Sequence, residues 1–168
     1  MKKIFILSIL LLLSAPLFSK NECIKRERHI KDSIEFADLL NMAESKSFLF
    51  STEQVLPMSA SAIHVGGDGY YVTVRNDSVF CELPFYGRAY NVNLNERGGF
   101  HFEEPIINYK LKVNNKKSKI DITIKVNIPR DNVVLHFTLT GKENSSLSVT
   151  SNNRSNISYW GDISNLSE

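Results

Sequence analysis

His101 and Glu103 stand two apart in a stretch of alternating residues, so in an extended strand their side chains leave the same face. An imidazole beside a carboxylate can begin a metal site or serve as an acid–base pair. A metal would need a third ligand from elsewhere, such as His64 or His136. Both residues equally suit the polar face of an amphipathic strand, and the sequence favours that plainer reading. No strand-to-helix serine elbow, phosphate-cradling glycine loop or paired-cysteine site accompanies them. The expectation is therefore a protein that is not an enzyme, with no catalytic residues, no metal and no cofactor. The rival expectation is a hydrolase that uses His101 and Glu103.

The densest cluster of recognition-type side chains is Leu83-Pro84-Phe85-Tyr86-Gly87-Arg88-Ala89-Tyr90. Rings stack, and a guanidinium bonds carboxylates, phosphates or carbonyl pairs through a planar fork. Pro84 ends a strand and Gly87 permits a bend, so the rings belong at a sheet edge or a barrel mouth. The structural reading, which the sequence favours, has Phe85, Tyr86 and Tyr90 packed into the core and Arg88 bonded to loop carbonyls. A second cluster, Asn153-Arg154-Ser155-Asn156 followed by Ile157-Ser158-Tyr159-Trp160-Gly161, ends the domain. Arg154 can cap turn carbonyls. Trp160, the single tryptophan, either faces a ligand or plugs a barrel end, and its bulk favours the plug. Phe85, Tyr86, Arg88, Tyr90, Arg154 and Trp160 are the candidate contact residues.

The elements that position them follow from periodicity. Phe36, Leu39, Leu40 and Ala43 recur at helical spacing, with Asp32 and Glu35 placed to form a capping box, and the helix should end near Ser47. From Phe48 the period becomes two. Phe48, Phe50 and Val55 open a strand that Pro57 ends. Ile63 and Val65 make a short one before Gly66-Gly67-Asp68-Gly69 turns the chain. Tyr70 to Arg75 and Ser78 to Leu83 flank a tight Asn76-Asp77 turn. Asn91 to Asn95 and Phe100 to Glu104 flank Gly98-Gly99. Ile107, Tyr109, Leu111 and Val113 form one inward set, and Ile120, Ile122, Ile124, Val126 and Ile128 the next. Leu135, Phe137 and Leu139, then Leu147 and Val149, then Ile157 and Tyr159 complete the series. The long Ile120 to Ile128 strand is expected at the centre of the sheet. The fold class is α+β and mostly β: an N-terminal helix packed on a strongly curved antiparallel meander sheet or partial barrel of roughly eight to ten strands. A two-layer β-sandwich is the alternative.

The chain's start has the three-part pattern of a secretory signal. Lys2 and Lys3 precede the apolar run Ile4 to Leu13, and Ala15-Pro16 and Ser19 follow. That run falls short of the roughly 20 apolar residues a spanning helix needs. Residues 1–19 are read as signal peptide, 20–31 as a polar leader and 32–168 as one helix-plus-sheet domain. Cys23 follows Lys20-Asn21-Glu22 rather than a small apolar box, so no lipid is expected on it. Lys2 and Lys3 carry the whole formal charge of +2, so the processed chain is near neutral and has no bulk electrostatic case for nucleic acid. Cys81 is expected buried and Cys23 mobile, with a disulfide between them the less favoured reading.

The block Leu83 to Tyr90, then Gly98-Gly99-Phe100 with Phe102 and Pro105-Ile106, then Tyr109, then Asn153-Arg154-Ser155 with Ile157-Ser158-Tyr159 and Gly161, resembles domain of unknown function family 4251. The helix ending Ala43-Glu44-Ser45-Lys46-Ser47-Phe48 fits its opening. The likeness spans about Phe36 to Ile163. It implies an exported bacterial protein, periplasmic or extracellular, and supplies no activity. Within such a host, Asp32-Ser33-Ile34 and Asp77-Ser78-Val79 look like short O-glycosylation sequences. The expected function is a soluble, non-catalytic envelope module that binds a small apolar ligand or an envelope protein. A structural component of an envelope assembly is the third reading. An enclosed apolar cavity would favour the ligand, and an exposed aromatic patch the protein partner.

Overall fold

A computed structural model describes residues 16–90 and 98–166. The expected strand Asn91 to Asn95 lies outside the described residues. Helix α1 spans Pro16–Ser45 and leads into ten strands: β1 (Ser47–Pro57), β2 (Ile63–His64), β3 (Tyr71–Arg75), β4 (Ser78–Leu83), β5 (Phe100–Pro105), β6 (Asn108–Asn114), β7 (Lys119–Ile128), β8 (Asp131–Leu139), β9 (Ser145–Ser151) and β10 (Ile157–Ser164). The chain forms two compact units, residues 1–35 and 36–168, and the second holds the whole sheet. No helix among the described residues is long and apolar enough to cross a membrane.

The helix corrects one expectation. Asp32 lies inside α1 rather than capping it, and residues 20–31 are helical. Nothing between Lys20 and Lys31 breaks a helix: the stretch has no Gly or Pro, and its Lys, Arg and Glu are good helix formers. The last turns bury Leu39, Met42 and Ala43 in the core. The Tyr109 hydroxyl donates to the Ala43 carbonyl at 2.6 Å, satisfying one of the orphan acceptors at the helix end.

All strands join one curled antiparallel sheet, the half-barrel form rather than the sandwich. Its order is β5-β4-β3-β1-β10-β9-β8-β7-β6, with β2 paired to β1. β6 to β10 form the expected meander, whereas β1 inserts between β3 and β10. The centre is therefore β10, not the Ile120 to Ile128 strand, which as β7 lies next to the β6 edge. Chain order explains this: β7 is made early in the meander, while β10 is the strand left to pair with β1. β5 and β6, the two ends of the order, are separated in sequence only by Ile106 and Ile107. That link is held by the Ile106 N–H on the Asp77 carbonyl (2.7 Å) and the Ile107 N–H on the Lys125 carbonyl (2.9 Å).

The concave face is filled by side chains. Phe137 packs edge-on against Phe48 and Phe50, with ring centres 5.4 and 5.7 Å apart. Ile120, Ile122, Ile124, Leu135, Leu147 and Val149 are all fully buried. Cys81 is a free thiol in this core, and burial pushes it well above the usual thiol range, with Glu82 beside it adding to the effect. The inward set of β6 is only partly realised. Tyr109 and Leu111 are half-buried, but Ile107 and Val113 are exposed because an edge strand reaches beyond the core at both ends.

Candidate functional site

At the end of β4, Leu83 and Pro84 are buried, and the Tyr159 hydroxyl donates to the Pro84 carbonyl at 2.7 Å. Burial raises that phenol far above its ordinary range. Phe85 turns inward and meets Phe100 edge-on at 5.6 Å. The Arg154 guanidinium lies 5.5 Å from the Phe85 ring centre and 4.8 Å from that of Phe100, and it donates to the Gly99 carbonyl. The backbone is fastened to the same turn. Ala89 bridges Arg154, the Tyr90 N–H donates to the Asn153 carbonyl (2.8 Å), and the Ser155 N–H donates to the Arg88 carbonyl (2.9 Å). A side chain at Gly87 would run into Ser155 Oγ and the Phe85 ring.

The six sequence candidates therefore divide. Phe85 and Arg154 are brought together as the brace behind the loop. Tyr86, Arg88 and Tyr90 are exposed in front of it, Tyr86 by 42% and Tyr90 by 70%. Trp160 is elsewhere, 54% exposed on the outer face of β10 opposite Gln54. It does not plug a barrel end. Alternation along β10 turns its neighbour Tyr159 inward instead, so that Tyr159 takes the buried place.

His101 is paired across the sheet rather than along its strand. Its Nδ1 lies 2.8 Å from Glu82 Oε1 and its Nε2 lies 2.8 Å from the Gly98 carbonyl, while Glu103 sits opposite Phe80. His64 belongs to β2. His136 on β8 lies 3.0 Å from the Thr123 hydroxyl and 3.7 Å from Asp121. Among the described residues, no three His, Cys, Asp or Glu side chains gather as a metal-holding group.

Sequence reading missed a cleft of about 330 Å³ on the outer face, lined by Leu49, Ser51, Thr52, Glu53, Gly67, Gly69, Tyr70 and Tyr71. It forms where β1 bulges. The β1–β10 register slips between Thr52 and Gln54, which leaves Glu53 as the extra residue. Gly161 stands opposite Thr52, where a Cβ would collide with the Ser51 carbonyl oxygen. The Glu53 carboxylate lies over Gly66, at a place where any side chain would overlap it. Asp162, paired with Ser51, projects from the same face of β10. Its carboxyl is held above the usual range by burial and by the charge of Glu53. Tyr71 is steadied by stacking on Phe80 at 5.5 Å. A trace of the bulge is present in the sequence: Phe48, Phe50 and Thr52 keep one phase, the polar pair Glu53-Gln54 interrupts it, and Val55 resumes in the other.

Comparison with known proteins agrees with this architecture. A crystal structure of a DUF4251 family protein from Bacteroides eggerthii DSM 20697 is similar at 16% identity and a TM-score of 0.62, covering 81% of this chain and 91% of that one. At that identity the likeness speaks for the fold alone. No curated protein matches the sequence. The family model for DUF4251, a domain of unknown function, matches residues 31–163 and so takes in the helix end, the braced loop and all ten strands. The chain belongs to the DUF4251 family.

Proposed function

We propose that this protein is an exported, non-catalytic module that binds a protein partner through Tyr86, Arg88 and Tyr90. One observation carries the reading: two tyrosines stand exposed on a loop whose back is fixed by Arg154, Phe85 and Phe100. A loop ordered before contact loses little freedom on binding, and exposed aromatics with an arginine are the side chains that dominate protein contacts. The filled concave face speaks against a small apolar ligand inside the sheet. The non-catalytic reading draws support from His101, whose two ring nitrogens are both engaged by the protein itself. Export rests on the signal pattern of residues 1–19.

The test is site-specific photo-crosslinking in the native cell. A benzophenone side chain at position 86 or 90 is expected to yield one discrete protein adduct, which a control at Thr150, exposed on β9, does not give. Equal labelling at all three positions would refute the contact surface. N-terminal sequencing of the cellular protein is expected to begin near Lys20, and an uncleaved Met1 would refute export by this signal.

A further inference from the structure

We infer that His101 is a proton-operated latch on the Gly98–Gly99 turn, closed when both ring nitrogens carry a proton and released when one proton leaves. The first observation is what faces the ring. Its Nδ1 lies 2.8 Å from Glu82 Oε1, and its Nε2 lies 2.8 Å from the Gly98 carbonyl oxygen. Both neighbours are acceptors, since an ionised carboxylate and a carbonyl have no hydrogen to give. A neutral imidazole has one N–H. Whichever nitrogen keeps it, the other turns a lone pair toward an oxygen, and that contact becomes repulsive. The imidazolium donates at both nitrogens and satisfies both oxygens at once. Histidine is the side chain that ordinarily makes this change between about pH 5 and 8. Water reaches the pair, because the His101 and Glu82 side chains are only partly buried.

The second observation is that the turn is built against this ring. Gly99 has a φ of 122°, and a Cβ there would strike both the Leu83 carbonyl oxygen and His101 Nε2. The Gly99 carbonyl also receives the Arg154 guanidinium, which lies over Phe85 and Phe100. One short turn therefore joins the His101–Glu82 pair to the brace behind Tyr86 and Tyr90. Its consequence for the contact surface rests on the function proposed above, whereas the latch itself does not. Other ionisable groups surround the ring: Glu103 two residues along β5, Tyr71 opposite Glu82 on β3, Arg88 and Arg154 from the loop and the last turn, and Lys125 of β7 at the far end of β5. Among the described residues, Glu82 alone makes an ion pair with His101. The latch is closed where Glu82 is ionised and His101 is charged. It opens as pH rises through the titration of the ring, and its Glu82 arm weakens where acid protonates the carboxylate.

A pH titration of the purified protein by nuclear magnetic resonance tests this. No partner is present, so the outcome is independent of the contact surface. Ring nitrogen shifts report the protons on His101, and heteronuclear NOEs of the Gly98 and Gly99 amides report the order of the turn. Both ring nitrogens are expected to be protonated on the acid side, with the turn ordered. As pH rises, one ring proton and the order of Gly98 and Gly99 should be lost with a shared midpoint, while Gly141 in the β8–β9 turn stays unchanged. Glu82→Gln removes the carboxylate and should lower that midpoint by about half a pH unit. His101→Phe keeps a ring without nitrogens and should leave the turn loose at every pH. The inference is overturned if the ring titrates while the turn stays equally ordered, if the turn still loosens with pH in His101→Phe, or if Glu82→Gln leaves the midpoint in place. Should His101→Phe fail to fold, the parent titration and Glu82→Gln decide the matter.

Discussion

Asp121 and Asp162 are the same residue type, both half-buried on the outer face of one sheet, yet their carboxyls move in opposite directions. Burial raises both. At Asp121 it is outweighed by hydrogen bonds from Lys119 (3.0 Å) and Thr138 (2.9 Å), with His136 adding positive charge, so the carboxyl falls below its usual range. At Asp162 burial is joined by the repulsion of Glu53, and the carboxyl rises. The β7–β8 face thus supplies its own counter-charges, and the β1–β10 face does not. Whether a carboxyl on this sheet rises or falls is decided by the charges that neighbouring strands bring within its reach.

The contrast can be broken or sharpened by substitution. The largest effect belongs to the core behind the Asp121 face. Ile124→Asp buries an unpaired charge among fully buried residues and should cost about 4 kcal/mol or more, enough to abolish a cooperative thermal melt. Gly161→Ala comes next on the Asp162 side. Its methyl would collide with the Ser51 carbonyl, so the bulge must open, and denaturant melts should show a loss of about 2–3 kcal/mol. Arg154→Ala removes the brace shared by Phe85 and Phe100 and should cost about 1–2 kcal/mol, whereas Tyr86→Ala should leave the melt within about 0.5 kcal/mol of the parent. If Tyr86→Ala proves as costly as Arg154→Ala, the loop is scaffold throughout.

The smallest effects test the two aspartates directly. Asp121, lowered in the fold, adds stability above its unfolded pKa, and that gain is lost as pH falls through the folded value. Asp121→Asn should therefore cost up to about 1 kcal/mol at neutral pH, and the loss should shrink on acidification. Asp162, raised in the fold, works the other way. Its ionised form weakens the fold as pH rises through the unfolded value of 3.8 to the higher folded one. Asp162→Asn should raise the neutral-pH melting temperature slightly, with no gain well below pH 3.8. The same sign for both substitutions at neutral pH would erase the distinction between the two faces.

The braced loop was half legible. Pro84, Gly87 and the crowd of rings announced a corner, but nothing in the order of residues distinguishes Phe85, which turns inward, from Tyr86, which does not. That choice depends on Arg154, brought in from the far end of the chain. His101 shows the same limit. Strand period placed it and Glu103 on one face, and its real partner, Glu82, comes from the neighbouring strand. Helix α1 was underestimated because a run of charged helix formers carries no apolar stripe to mark it.

Alternation by itself determined the strands. From Ile120 to Tyr159 every inward residue named by period is buried except Ile128, which is half-buried, because a side chain's face in a strand is set by its own backbone pleat and needs no partner. Tertiary structure alone decided which strands meet. β1 reaches β10 across almost the entire domain, and only that pairing makes Glu53 a bulge residue, sets Gly161 opposite Thr52 and pairs Asp162 with Ser51. Periodicity is local, whereas register between distant strands follows from how the curled sheet packs its shared core, so the β1 bulge exists only once the ends of the domain have joined.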